Sequence, residues 1–459
     1  MKIDFDNSIK IAGIGLVPWT RLGPEQWLPN YAIVSYYGGI MSDAANMPKN
    51  YALGEFVHPL PKLAKFNTGH LLRNPDFQRL LEEKLAGYDL LTYRPVTVPD
   101  ELKHRKFLLN DNKLAAKLEN KVEFRRLFAG KINFPKYEIY DRSELESNEQ
   151  TFEKILSGRQ KIVIQDENLS GGKGTFIVDS FEEYIKAVSD LNSLSSHTRV
   201  VVSSAVKNSR ERSIQCCIGS DGIYIGPLQR QIVRNPLLAN MNTVKGDKFC
   251  GASIDSSDQS GKTFDDALQV AEIIGTELKG MGYRGIFGVD FLLDENDELF
   301  VLEINPRLTG VTPLLTSLFR KDEGIPFYLL HLLDLGGYEY SVIDESATFD
   351  KSGALLILHS LKDVAANFVK IPKTGTYSFD PKGKLTFVSN NVNLEAITQN
   401  QFVVKQFVPD GTVVKPGARQ LSLEFCKPVL DNSDRLYNDI ETTVRAVQSA
   451  MVTEAVNYG

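Results

Sequence analysis

Hydrophobic and polar positions alternate most regularly near residue 290. The stretch GIFGVDFLLDENDELFVLEIN (285–305) reads as a β-hairpin with a four-residue turn from Glu295 to Glu298. That register sets Asp290 opposite Glu303 and Gly288 opposite Asn305. One face then carries Val289, Phe291, Leu293, Phe300, Leu302 and Ile304. The other carries Asp290, Glu303 and Asn305, with Arg307 just beyond. One face is core, and the other gathers polar groups at one spot.

The same reading predicts short mixed elements over 1–110, including buried strands in YAIVSYYGG (31–39) and YDLLTYRP (88–95). A helix is expected over 111–128, with Asp111 as cap and Gly130 as stop. KIVIQ (161–165) is a β-branched strand, LSGGKGT (169–175) a glycine-rich loop, and FIV a second strand. Ser180 and Glu183 form a capping-box pattern for a helix to about 194. RVVVSSAV (199–206), SIQCCIG and IYIGPLQRQIV are further strands, and a helix is expected over 265–279. Residues 336–459 read as β-rich, ending in a helix striped by Leu436, Ile440, Val444, Val447 and Met451.

Composition narrows the class. The chain has 459 residues, 42% hydrophobic and 24% charged, with a formal net charge of −6. This is an ordinary globular balance and lacks the basic footprint of a nucleic-acid or anionic-membrane partner. Cys216, Cys217, Cys250 and Cys426 show no zinc-ligand spacing. The first residues lack a signal-peptide pattern, and no apolar run approaches the roughly 18 residues of a membrane span. A cytoplasmic protein is expected.

Two opposed carboxylates repel, and a bound cation relieves that cost. Carboxylate and amide oxygens suit a hard ion such as Mg²⁺, and a neighbouring arginine suits phosphate or carboxylate. The competing reading is a solvated polar face with an incidental ion pair. SGGKGT is not a Walker A loop, since Glu stands at 167 and Gly at 174. It remains a fitting phosphate cover, because glycines admit backbone N–H groups and Lys173 adds charge. The bland alternative is a plain hairpin turn. Arg210, Arg212, Arg230 and Arg234 are either substrate contacts or a solvated basic face. Cys216 and Cys217, and the aromatic PWTRLGPEQWLPNY (18–31), read as core.

Glycine loop, intervening strand and carboxylate hairpin, in that order, resemble the ATP-grasp superfamily over roughly 111–335. The resemblance implies an α/β (α+β) ATP-grasp fold. It divides the chain into an N-terminal α/β pre-grasp domain (1–110), a grasp of two subdomains joined near 200–206 (111–335), and a β-rich C-terminal domain (336–459). It implies that Asp290, Glu303 and Asn305 hold two Mg²⁺ ions, or Mn²⁺, against ATP, and that Arg307 meets the transferred phosphate. Gly171, Gly172, Lys173 and Gly174 would cover the phosphates, and Lys113 would bind nucleotide. Ser203, Ser204, Ala205 and Val206 would meet adenine, and Glu211 the ribose or substrate. Catalysis would fall to Arg307, Lys173 and Asn305. Gln165 stands where the family usually has a lysine.

The activity implied is a carboxylate–amine ligase that forms an acyl-phosphate from a small acid, passes it to an amine and releases ADP and phosphate. The alternatives are an ATP-grasp carboxylase, with a C-terminal segment (416–436) loosely like that of biotin carboxylases, or a non-catalytic ATP-binding protein. Family members are often dimers, so a homodimer is the assembly implied.

Overall fold

The computed structural model describes the chain except residues 42–46, 243–247, 321–323, 345–346, 380–383 and 457–459. The N-terminal part is a parallel sheet in the order Lys49–Ala52, Ala32–Ser35, Ile11–Gly15, Asp89–Leu91, Phe107–Leu108. Its central strands are apolar on both faces, as a sheet covered on both sides requires. Trp19, Leu28 and Tyr31, from the aromatic stretch, are buried in a core shared with Phe327–Gly336.

A four-stranded antiparallel sheet follows: Tyr137–Asp141, Arg199–Ser204, Ile162–Asp166, Thr175–Val178. Helices Glu149–Leu156 and Phe181–Leu194 cover it through Phe152, Ile155, Tyr184 and Leu191. Ser180 caps the second helix, accepting from the Glu183 amide at 3.4 Å. The Glu183 carboxylate reaches the amide of Asp179 rather than that of Ser180, so the capping box is displaced by one residue.

The remaining large sheet is antiparallel throughout. It runs Leu299–Asn305, Gly285–Leu293, Arg210–Ile218, Ile223–Val233, Phe249–Ile254, Gly353–His359, Arg419–Phe425, Gln401–Gln406, Gly375–Phe379, Leu385–Ser389. It continues without a break across residue 335. Helix Lys262–Gly280 packs Ala267, Ala271, Ile274 and Leu278 on one face, against Ile214, Cys216 and Val289. Cys216 and Cys217 are core. In helix Asn438–Ser449, Ile440, Val444 and Val447 are buried as the stripe requires, but Leu436 and Met451 lie outside it, and the strand Val452–Ala455, paired with Ala366–Lys370, follows where the helix was expected to end the chain.

Two expectations change. The helix expected over 111–128 is two helices, Asn112–Glu119 and Lys121–Phe128. Asn120 sits extended between them, and its side chain accepts from the amides of Val122 and Glu123. Asparagine competes for backbone donors in this way, so it caps a new helix better than it continues an old one.

The hairpin pairs Asp290 with Glu303 and Gly288 with Asn305, but the register then slips, so that Phe291 opposes Val301. The bulge at Leu302 turns Leu299 and Val301 into the core, whereas Phe300 and Leu302 were expected there. Phe300 and Leu302 are only half-buried.

Candidate active site

The polar face of the large sheet forms the floor. Asp290 and Glu303 face each other, and Ser213, on the next strand, stands opposite Asp290. The amide groups of Gln231 and Asn305 donate to the two Asp290 oxygens at 2.6 and 2.8 Å. Burial, and then the Glu303 charge, push Asp290 up to about 7, against those two donors and Arg307. A carboxylate this costly to ionise beside a second carboxylate calls for a cation.

The donor set is two carboxylates and one amide, oxygen ligands that fit Mg²⁺. Among the described residues no group of three or more His, Cys, Asp or Glu side chains is arranged to hold a metal. Asn305 here accepts from Arg307 Nη2 at 2.6 Å through its carbonyl oxygen. That oxygen keeps a second lone pair for a cation, with which the guanidinium would then share the oxygen.

Arg307 is held from several sides. Its Nε meets Glu119 at 3.2 Å, and its Nη1 meets the Tyr93 hydroxyl at 3.1 Å, with Tyr93's ring 5.4 Å from Cζ. Burial pulls its pKa down, but Tyr93, Glu119 and Glu303 more than offset this and hold it raised. Glu119 also reaches Arg94 at 3.9 Å. Gln215 Oε1 accepts from Thr309 at 2.7 Å and Thr312 at 2.5 Å, which pins the loop after Arg307.

The glycine-rich loop hangs from the opposing four-stranded sheet. Gly171 and Gly172 have φ of +67° and +74°, a region glycine enters freely. A Cβ on Gly174 would lie 2.8 Å from Asp166 Cβ. Asp166 anchors the loop, accepting from the amides of Asn168 and Leu169 and from Arg142, all within 2.9 Å. Lys173 is exposed at the tip.

Lys113, expected to bind nucleotide, lies exposed on the first turn of its helix. The lysine that reaches the hairpin is Lys121. It is buried, its Nζ lies 3.4 Å from Glu303, and it donates to the Leu169 carbonyl at 2.8 Å. Gln165 receives a hydrogen bond from Arg125 Nη2 at 3.2 Å. Arg125 is fully buried, between the rings of Phe134 and Tyr137, and burial lowers its pKa to about 10. The cation missing at position 165 therefore has a neighbour on the preceding helix.

Ser203 is buried in its strand, and Ser204, Ala205 and Val206 line a cleft of about 250 Å³ with Pro135 and Phe300. The amides of Ser204 and Ala205 donate to the carbonyls of Lys136 and Lys161. Val206 is therefore the amide of this segment with no backbone acceptor among the described contacts. Glu211 lies opposite Leu292, on the floor strand.

Three of the four basic residues weighed as substrate contacts are held in ion pairs. Arg230 grips Asp258 through two 2.6 Å bonds, Arg212 pairs with Asp434 at 2.8 Å, and Arg210 pairs with Asp297. Sequence reasoning missed Lys121, Glu119, Tyr93, Gln215 and Gln231. The two glutamines carried a signal, because polar residues recur at every second position over 211–215 and 229–231.

Comparison with known proteins bears on the fold that carries these residues. Residues 118–311 match the ATP-grasp domain model. A [butirosin acyl-carrier protein]–L-glutamate ligase from Niallia circulans is 26% identical over 246 residues, 51% of this chain and 56% of that protein. The carbamoyl phosphate synthase large chain of Haemophilus ducreyi is 22% identical over 215 residues, 47% of this chain and 18% of that one. The match thus spans about half the length of the first relative and under a fifth of the second.

Among solved structures, biotin carboxylase from Campylobacter jejuni superposes with a TM-score of 0.63 at 12% identity, covering 98% of this chain and 92% of that one. Phosphoribosylamine–glycine ligase from Thermotoga maritima gives 0.56 at 17%, covering 97% and 98%. The biotin carboxylase domain of Hydrogenobacter thermophilus 2-oxoglutarate carboxylase, a dimer with MgADP, gives 0.61 at 10%, covering 97% and 91%. These neighbours share the fold, and residues 118–311, the part that matches the ATP-grasp domain model, include the loop and the hairpin described above.

Proposed function

We propose that the protein is an ATP-dependent carboxylate–amine ligase working through an acyl-phosphate. The observation that carries this is the opposed pair Asp290–Glu303, with Arg307 one step beyond and a glycine-rich loop on the facing lobe. The relative from Niallia circulans is by name a ligase of L-glutamate and a carrier protein, a reaction of the same class.

The chemistry needs no nucleophile from the chain. A carboxylate oxygen of the acid attacks the γ-phosphorus of ATP, the bond to the β–γ bridging oxygen breaks, and ADP departs. The amine nitrogen then attacks the acyl carbon, the carbon–oxygen bond breaks, phosphate leaves and the nitrogen sheds a proton. Mg²⁺, when bound, neutralises phosphate charge.

The chain's part is positioning and charge. Asp290, Glu303 and Asn305 supply oxygen ligands. Lys173 and the loop amides cover the phosphates. Arg307, fixed by Glu119 and Tyr93, faces the transferred group. Lys121 bridges the loop and the hairpin. The Val206 amide and the Phe300 ring offer the adenine an edge and a face. A cytoplasmic small-molecule ligase, working as a homodimer, is the setting that fits.

ADP formation should require acid and amine together, and Asp290→Asn and Glu303→Gln should each lower it by at least about a hundredfold, or about 2.7 kcal/mol of barrier. Coupled detection of ADP checks this. ADP release that depends on bicarbonate alone would point to a carboxylase instead.

A further inference from the structure

Arg21 is a buried cation that the proposed reaction leaves unused. Only 2% of it is exposed. Its Nε donates to the Ile14 carbonyl and its Nη1 to the Thr20 carbonyl, each at 2.7 Å. The Tyr31 hydroxyl donates to the backbone carbonyl of Arg21 at 2.7 Å. Gly13 leaves room for this packing, since a Cβ there would lie 2.3 Å from the Tyr31 hydroxyl and 3.0 Å from Arg21 Cβ. Among the described residues no carboxylate pairs with Arg21. A buried guanidinium without a carboxylate is costly to keep, and an apolar side chain of similar volume often serves a fold as well.

The guanidinium meets the site through one ring. Ile11–Gly15 and Asp89–Leu91 are neighbouring parallel strands, with Gly13 level with Leu91. Ile14, which holds Arg21, and Tyr93 therefore lie at the same C-terminal edge of that sheet. Arg21 Cζ lies 5.4 Å from the centre of the Tyr93 ring, and Arg307 Cζ lies 5.4 Å from the same centre. An aromatic ring attracts cations, so Tyr93 holds two guanidinium groups that would otherwise repel. The Tyr93 hydroxyl accepts from Arg307 Nη1 at 3.1 Å. Arg307 Nη2 donates to Asn305 at 2.6 Å, and Asn305 donates to Asp290 at 2.8 Å. A continuous chain of contacts, Arg21–Tyr93–Arg307–Asn305–Asp290, joins the parallel sheet to the metal hairpin. Glu119, the other partner of Arg307, is also 3.9 Å from Arg94, so it does not fix Arg307 alone.

We infer that Arg21 is a positioning residue. It clamps the Tyr93 ring, and through that ring it sets the Arg307 guanidinium against the transferred phosphate. Arg21 itself touches no substrate in this assignment. The role rests on the ligase reading for the reaction, while the phosphate contact of Arg307 is measurable without turnover.

The test is titration calorimetry of the full chain with inorganic phosphate in saturating Mg-ADP, phosphate standing for the transferred group. Arg21→Met and Tyr93→Leu should each weaken phosphate binding by about tenfold, and the double variant by no more than about twofold beyond either, because the two act in series. Arg21→Lys keeps a charge beside the ring and should stay within about threefold of the unaltered chain. Mg-ADP affinity should hold within about twofold in all of these variants, and in turnover the loss should fall on kcat rather than on the KM for ATP. Unchanged phosphate binding in Arg21→Met overturns the proposal. So does a double variant weakened by the product of the two single losses, which would make Arg21 independent of Tyr93. A parallel loss of Mg-ADP affinity that Arg21→Lys does not rescue would leave Arg21 a structural role alone. Absence of phosphate binding by the unaltered chain would remove the Arg307 contact on which the role depends. Phosphate binding that follows the expected series while no acid–amine pair yields ADP would sink the ligase reading and leave the positioning role standing.

Discussion

Lys121 and Lys113 separate at the residue scale. They are eight positions apart on what the sequence presents as one helix, yet only Lys121 reaches Glu303 and the loop carbonyl of Leu169. A charged hydrogen bond is worth roughly 1.5–3 kcal/mol. Lys121→Met is therefore expected to weaken Mg-ATP by about tenfold or more, whereas Lys113→Met leaves it within about twofold. Equilibrium nucleotide binding by fluorescence checks both. Gln165 follows the same logic. Arg125 already points at its amide oxygen from 3.2 Å. Gln165→Lys would place a second cation against a buried guanidinium, so restoring the usual family residue is expected to destabilise this chain. The expected loss is about 1–3 kcal/mol, read from chemical denaturation.

Elements decide where those residues point. The bulge at Leu302 matters more than any single side chain in the hairpin, because a one-residue slip moves every following side chain to the other face. Strict alternation in the sequence conceals it, since Phe300 and Leu302 are as apolar as Leu299 and Val301. Only packing chooses between them, and the outcome sets Phe300 beside the linker Ser204–Val206.

Helix Phe327–Gly336 braces the start of the other hairpin strand, Gly285–Leu293. The Ile286 amide donates to His331 Nδ1 at 2.9 Å, which requires that nitrogen to be unprotonated. Burial pushes His331 down to about 3, from an ordinary value of 6.5. The unfolded chain then takes up the proton first. Stability is full above about pH 6.5 and falls as pH drops toward 3, by about 1.4 kcal/mol per unit of pKa difference. His331→Gln should flatten that acid limb in pH-dependent urea denaturation. An unchanged slope would contradict the assignment.

At the scale of the whole molecule, the ATP-grasp order was legible because the loop, the linking strand and the carboxylate hairpin are local patterns. The opposition of Asp290 and Glu303 could be read from a turn and a period of two. The partners of Arg307 could not, because Tyr93 and Glu119 lie 214 and 188 residues away in sequence. Neither could the break at Asn120, where one side chain's competition for amides outweighs helical periodicity.

The join at 335 offers a different lesson. The family resemblance implies a boundary there, yet Phe249–Ile254 pairs with Gly353–His359, and the large sheet continues. A chain ending at 335 would leave that strand an unpaired edge and strip its core of Leu356, Leu358, Leu421 and Leu423. Such a truncation is expected to be insoluble or to lose its cooperative thermal transition, and calorimetry of the shortened chain checks this.

The acyl-phosphate is the central claim, and oxygen-isotope transfer tests it most directly. The acid would carry ¹⁸O in its carboxylate, with Mg-ATP and an amine present, and the products would be read by phosphorus NMR. The ligase account predicts one ¹⁸O in the released phosphate, alongside ADP, in step with amide formation. Label appearing in AMP, or phosphate released without label, would contradict it.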